Sequence, residues 1–373
     1  MNCHRQVRGR RGRRGAAGVI AALLLLGMGL AAAADPAPWR ALYAGTVGLD
    51  DVVVDLTFVG EGVAHARVLS NSRGMVLTGV GTVEDEDVVE VDLAAVAPGG
   101  APSLDILYLE SGSAPPDLPA GASAGHLSGR LHPTWQDDGA RLELTLTLDG
   151  VAGAATLARV AQYAYLRLSE GRLDAGSAWP RFTPSALRSV AGGLEAGAFD
   201  QVGTFISEGR ASADADGLGW GWTSDDYVDL AGAAGAFLSL LTSSSTYTGG
   251  AHPNSYYSSS LLEVGPTGAA RVALPELFDE DADWEAVLTA RVTADLLRQG
   301  AEWIEGGAVV EPSDLTTFTL GPAGLTFVFD PYAVGPYVQG EFTVTVPFGE
   351  VAALAREGGA LEAFVRAVPA TTW

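Results

Sequence analysis

The chain has 373 residues, enough for two domains with separate cores, and its 47% apolar content excludes a mostly disordered protein. Twenty-two basic residues, all arginine, face 45 acids, for a formal charge of −23. That excess disfavours nucleic acid and anionic lipid as partners and would attract a basic protein or a cation.

Arg5, Arg8, Arg10, Arg11, Arg13 and Arg14 precede an apolar run from Ala16 to Leu30, and Ala32-Ala33-Ala34 stand before Asp35. This is the order of n-region, h-region and A-x-A cleavage site in an export signal. Residues 1–34 are therefore expected to be a signal peptide, and the mature chain to begin near Asp35 in an extracytoplasmic setting, periplasmic or secreted. Retained, the same run would be an N-terminal anchor. Cleavage removes Cys3, the only cysteine, together with six arginines. The mature chain then has no thiol or disulfide chemistry, no stable membrane span and a charge of −29, sixteen arginines against 45 acids.

From Leu42 to about Leu157 the pattern is two-residue alternation broken by glycine-rich turns. Val52, Val54, Leu56 and Phe58 share one face, with Val53, Asp55 and Thr57 on the other. Leu142, Leu144, Leu146 and Leu148 alternate with Glu143, Thr145 and Thr147. Such strands are antiparallel with one buried face. Further strands are expected at 63–69, 75–82, 88–93, 104–109 and 126–131, with Ser111 to Gly125 as the longest loop. Residues 35–158 thus read as a β-rich N-terminal domain, an antiparallel barrel or sandwich.

After Trp179-Pro180 helical spacing takes over. Thr183-Pro184 reads as an N-cap followed by proline at the first helical position, with Leu187, Val190 and Leu194 three and four residues apart. Helices are expected near 184–208, 283–305 and 349–367. Strands are expected at 160–168, 218–230, 236–247, 255–264, 316–320, 325–329 and along Phe342, Val344 and Val346. Residues 159–373 form an α+β domain in this reading, with a mixed or antiparallel sheet and about three helices. The fold class of the whole is α+β.

Four histidines lie beyond residue 34: His65, His126, His132 and His252. None has a second His or a Cys at metal-ligand spacing, so neither metal nor cofactor is expected. Asp214-Ala215-Asp216-Gly217 lacks the later acid of a calcium loop and reads as an acidic turn. No nucleophile elbow, glycine-rich phosphate loop or Cys-His pair is present. These readings point away from an enzyme.

The unusual segment is Tyr247 to Tyr257, reading YTGGAHPNSYY. Gly249-Gly250 permits backbone angles that other residues avoid, and Pro253 holds His252 extended, so the segment is a shaped loop or strand entry. A second proline-tyrosine set follows: Phe327-Val328-Phe329-Asp330-Pro331-Tyr332, Gly335-Pro336-Tyr337, then a strand ending in Val346-Pro347. His252 is open to three readings. It pins the loop, it contacts a ligand, or it is a general base partnered by Ser258 to Ser260 or Asp330. The tyrosines suit a recognition surface, or they cap the core through hydroxyl bonds to backbone. Candidate binding residues are Tyr247, Gly249, Gly250, His252, Asn254, Tyr256, Tyr257, Asp330, Tyr332 and Tyr337, with no catalytic residue among them. The two loops are expected to adjoin in one aromatic surface.

Together these segments resemble the C-terminal module of the RsiV-like extracytoplasmic family, whose pattern is YTGGAHPN, about seventy residues, then a phenylalanine-rich strand leading into PY-x3-PY and a V-x-V/I-P strand. The resemblance covers roughly Val160 to Ala367 and does not reach residues 39–150. The module is largely a domain of unknown function. It occurs in lysozyme-sensing anti-sigma factors and beside peptidoglycan deacetylase domains. The resemblance implies an exported, non-enzymatic binding or sensor-like protein of the cell envelope, recognising a cell-wall glycan or a basic protein such as lysozyme. The fifteen residues before the apolar run are too few to grip a sigma factor. The alternative is a cell-wall glycan-modifying enzyme or its accessory domain.

Overall fold

The computed structural model describes residues 39–60, 63–84, 88–95, 125–132, 141–148, 151–216 and 219–366. The expected export signal, the strand at 104–109 and nearly all of the 111–125 loop lie outside them. Eight strands run up and down in chain order: β1 (Trp39–Val47), β2 (Asp50–Gly60), β3 (Val63–Ser70), β4 (Met75–Glu84), β5 (Val88–Ala95), β6 (Gly125–His132), β7 (Arg141–Leu148) and β8 (Val151–Glu170). β1 also pairs antiparallel with β8, Ala41 opposite Gln162 and Ala44 opposite Ala158, which closes the sheet. The result is a barrel rather than a sandwich, with no open edge between its first and last strands.

The barrel interior is a packed core. Val52, Val54 and Leu56 meet Ala64, Ala66, Val68, Leu77, Leu142, Leu144 and Leu146 there, all almost free of solvent. The expectation of one buried face fails on the wall made by β1, β2 and β3. Leu42, Ala44, Val53 and Leu69 point outward from the barrel and are buried in a second cluster with Trp179, Phe182, Val190, Leu230 and Leu238. Alternation of apolar and polar residues marks a strand with one wet face, and this wall is covered on both faces.

β8 is twenty residues long and belongs to both parts of the fold. Its first half completes the barrel. From Ala161 onward it pairs antiparallel with β9 (Leu173–Phe182), so the boundary expected between 158 and 159 falls inside one continuous strand. β9 itself carries no strand signature and contains Pro180. The proline is tolerated because the next strand, β10 (Trp222–Ala234), pairs in parallel only with Leu173 to Ala178, leaving no ladder on that side for the missing N–H. Between β9 and β10 a 3₁₀ turn (Ser185–Leu187) leads into α1 (Arg188–Asp216). Thr183 does not cap this helix: its hydroxyl donates to the Arg159 carbonyl, 2.9 Å away. α1 buries every fourth residue from Val190 through Ala198, Val202 and Ile206, with half-buried Leu194 completing the row. It runs eight residues past the expected end, and Asp214 to Asp216 form its last turn rather than an acidic loop.

β11 (Phe237–Tyr247), β12 (Asn254–Gly265) and β13 (Gly268–Arg271) extend the same sheet to thirteen strands in chain order, β9 and β10 being its parallel pair. A separate antiparallel sheet of β14 (Phe318–Gly321), β15 (Gly324–Phe329) and β16 (Phe342–Val346) packs against it. α2 (Trp284–Arg298) places Leu288, Val292 and Leu296 on that core, beside Phe318, Phe327 and Phe342. The expected helix at 283–305 is interrupted: Gly300 adopts a positive φ of 77°, and a single turn, α3 (Glu302–Glu305), follows. The expected helix at 349–367 is likewise divided into α4 (Phe348–Val351), a 3₁₀ turn and α5 (Ala360–Val365), with Gly358 and Gly359 between.

A buried ionic cluster fastens the barrel wall to β10. The Arg40 guanidinium donates to both oxygens of Asp55, at 2.9 and 2.7 Å, and to Asp229 at 2.6 Å. Arg67 lies 3.5 Å from Asp55 and donates to the Leu230 carbonyl at 2.5 Å. The Arg40 guanidinium also lies over the Tyr163 ring, 4.0 Å from its centre. Two arginines and two aspartates balance, as buried charge requires. Burial by itself would raise the Asp55 pKa, but the charge and hydrogen bonds of Arg40, with Arg67 beyond, outweigh it and hold the carboxyl below its ordinary value.

Asp55→Ala should therefore cost about 3–5 kcal/mol, because it strands buried cations rather than removing one contact. Chemical denaturation measures the loss, and hydrogen exchange should show β2 and β10 losing protection together. The depressed pKa sets the pH dependence. The stabilisation by Asp55 is fully present above its unfolded value near about 3.9 and is lost as pH falls through the lower folded value. An acid titration of unfolding should show a drop below about pH 4 that Asp55→Asn abolishes.

Candidate functional site

β11 ends at Tyr247 and β12 starts at Asn254, so the YTGGAHPN segment is the turn of a long hairpin, with Thr246 opposite Asn254. Gly249 and Gly250 have φ of 114° and 111°, a region side chains rarely enter, and the Tyr247 hydroxyl closes the turn on the Gly250 carbonyl at 3.1 Å. A Cβ at Gly249 would collide with the Trp220 indole, whose Nε1 donates to the Thr248 carbonyl at 3.1 Å. Trp220 is a residue the sequence reading missed. Its one signal was the Gly-Trp-Gly-Trp step at 219–222.

The second loop leaves β15 at Phe329. Asp330 accepts the Tyr257 N–H at 2.8 Å, and the Thr317 hydroxyl donates to the Tyr257 carbonyl at 3.1 Å. β13 reaches only Leu262 on that side of β12, so these side chains satisfy backbone that no strand pairs with there. Asp330 is thus a bracket between the loops. Burial pushes its pKa up, and the Tyr257 N–H partly offsets this.

The bracket brings three rings together. His252 stacks on Tyr337, ring centres 3.5 Å apart and planes within 15°. Tyr332 leans on both, 6.2 Å from His252 and 5.5 Å from Tyr337. The Pro253 carbonyl accepts the Tyr337 hydroxyl at 2.7 Å and His252 Nδ1 at 2.8 Å. A carbonyl only accepts, so Nδ1 carries the proton, and Nε2 is left to accept the Tyr332 hydroxyl at 3.4 Å. Tyr332 has φ of 72°, the one positive φ outside glycine among the described residues, and half its surface is exposed. An aromatic residue held in that region costs about 1–2 kcal/mol, and such strain clusters at working sites.

The structure therefore unites Tyr247, Gly249, Gly250, His252, Tyr257, Asp330, Tyr332 and Tyr337 in one surface. Tyr256 is 52% exposed and Asn254 is exposed, both on β12 beside the loop, and no ring contact joins Tyr256 to the trio among the described residues. Two of the residues weighed as partners of a catalytic His252, Asp330 and Ser259, are engaged elsewhere. Asp330 holds Tyr257, and the Ser259 hydroxyl accepts the Phe318 N–H at 2.9 Å. His65 is buried within β3, and burial lowers its pKa. His126 and His132 lie in β6, their side chains outside the described set.

Gly249→Ala should loosen the first loop through collision with Trp220 and an unfavourable φ, lowering stability by about 1–3 kcal/mol in thermal unfolding. Tyr332→Gly should leave stability unchanged or raise it, because glycine takes φ of 72° without strain.

Residues 275–349 match the family model described as "Protein of unknown function (DUF3298)". The match takes in α2, the three-stranded sheet and the second loop, and begins after the Tyr247–Tyr257 turn. Comparison with curated proteins finds no match. Two solved structures are similar to part of the chain. A DUF3298 family protein from Pseudomonas aeruginosa PAO1 has 14% identity and a TM-score of 0.40, covering 52% of this chain and 93% of its own. A DUF3298 family member from Bacteroides fragilis NCTC 9343 has 15% identity and a TM-score of 0.39, covering 55% of this chain and 97% of its own.

Proposed function

We propose that the protein is an extracytoplasmic binding protein of the cell envelope, and that the Tyr247–Tyr257 and Asp330–Tyr337 loops form its recognition surface for a wall glycan or a basic protein of the lysozyme type. The observation that carries this reading is the His252–Tyr337–Tyr332 trio, three rings held at the surface by hydrogen bonds and one strained backbone angle. Aromatic faces fixed in this way offer large contact area with little entropy left to lose on binding. They stack on sugar rings and attract cations, and an acidic chain draws a basic partner towards them. The order of the N-terminal segment supports export, and no helix among the described residues is long and apolar enough to cross a membrane. The RsiV-like resemblance supports the same class of ligand.

His252 serves the surface rather than proton transfer in this reading. Its Nδ1–H is spent on the Pro253 carbonyl, and among the described residues its other nitrogen meets a tyrosine hydroxyl rather than a carboxylate. Isothermal titration against a lysozyme and against soluble peptidoglycan fragments, with glycan turnover assayed in parallel, tests the proposal. One of the two ligands should bind saturably. Tyr332→Ala and Tyr256→Ala should each weaken that binding by on the order of 1–3 kcal/mol with unchanged melting. Turnover lost in His252→Ala with melting unchanged would replace the proposal with an enzyme.

A further inference from the structure

A second site lies away from the aromatic loops, where β8 crosses from the barrel into the long sheet. A cleft of about 550 Å³ opens there between the outer barrel wall and the start of α1. Its size lies within the range of small-molecule sites, about 300–1,000 Å³. Val53, Phe182, Leu187, Leu230 and Leu238 make its walls apolar. The polar remainder of the lining is Thr183, Arg159 and Arg188, without a single carboxylate. In a chain with 45 acids that is a local inversion of charge.

Neither arginine has an acidic partner among the described residues. Arg159 has a buried Nε without a hydrogen-bond partner, and its Nη1 reaches only the Gln162 side-chain oxygen at 3.4 Å. Arg188 opens α1, whose first turn carries no acid, so a cation stands at the positive end of a 29-residue helix. Both the Arg188 charge and the helix end favour an anion close by. Elsewhere in the described chain, arginines such as Arg73, Arg167, Arg181 and Arg210 are each paired with a carboxylate.

We infer that this cleft binds a single-chain aliphatic anion, its carboxylate or phosphate head at Arg188 and Arg159 and its tail along Val53, Phe182 and Leu238. The apolar walls account for the tail and the absence of acids for the sign of the head. The net negative charge of the protein then selects for a ligand that inserts its tail, since a plain anion gains too little to overcome the surrounding repulsion.

Titration of the full-length chain with laurate or dodecyl phosphate, below their micelle concentrations, tests the inference by calorimetry and light scattering. Saturable one-to-one binding is expected, with dodecylammonium and acetate bound at least about tenfold more weakly. Arg188→Glu should weaken laurate binding by about tenfold or more while holding or raising the melting temperature, because an acid suits the first turn of a helix. Ala158→Phe, at an exposed position on the cleft wall, should block binding without unfolding the protein. The inference is overturned if neither amphiphile binds, if dodecylammonium binds equally well, or if both variants bind as the parent does. It is also overturned if light scattering shows a dimer that Ala158→Phe dissolves, since a second copy would then fill the cleft.

Discussion

Asp55 is surrounded by the chain on every side, and no water reaches it to solvate its charge. The whole architecture depends on how that charge is met. Arg40 from the neighbouring barrel strand grips it with two hydrogen bonds, and the same guanidinium reaches Asp229 on β10, 189 residues further along the chain. An apolar contact between barrel and sheet could slide by a residue without great loss. A bidentate ion pair shared by three strands permits one register only, and an unpaired charge at this depth costs several kcal/mol. The apolar residues around it, Leu42, Val53, Leu69 and Leu230 among them, contribute the burial. The ionic cluster specifies the fit.

That fit carries consequences to the far end of the sheet. Once the barrel wall and β8 fix β9 and β10, the hairpin of β11 and β12 follows by antiparallel pairing, and its turn projects beyond the sheet. The three-stranded sheet then docks on β10 to β12 through backbone bonds to serine hydroxyls: Leu320 N–H to Ser239 at 2.9 Å and Phe318 N–H to Ser259 at 2.9 Å. With β14 pinned in this way, β15 ends where Asp330 can accept the Tyr257 N–H, and the two proline-stiffened loops share one surface. The strained φ of Tyr332 persists because both flanks of its loop are held, by Asp330 on one side and by the Tyr337–Pro253 bond on the other.

Much of this was legible in the residues, and the gaps have physical causes. Leu142, Leu144 and Leu146 alternate cleanly because their strand has one face in the barrel core, so the β-rich portion and most of its strands could be read directly. Barrel closure could not, because pairing of Ala41–Ala44 with residues 158–162 is non-local and a bulge shifts its register. β9 escaped because alanine, glycine and serine suit a strand buried under α1 and yet carry no strand propensity of their own. The length of α1 was underestimated because its glycines argue against a helix locally, whereas packing on β8 and β9 decides the outcome. At the site, paired glycines and prolines announced the turn geometry, and the meeting of the two loops was expected from their shared residue types. Trp220, the backbone strain at Tyr332 and the bracket role of Asp330 exist only in three dimensions. So does the arginine-lined cleft, whose walls come from β1, β2, β8, β9, α1, β10 and β11, spread along the sequence from Ala44 to Leu238.

The claim at the centre of this account is that the two loops act as one recognition surface, held ready before a ligand arrives. Hydrogen exchange of the whole protein, alone and with a saturating ligand, measures this most directly. The account predicts slow exchange at Tyr257 even without ligand, because Asp330 already holds its N–H, and further protection on binding that is confined to residues 247–257 and 330–340 together. Protection confined to one loop, or appearing on the barrel with both loops unchanged, would contradict it.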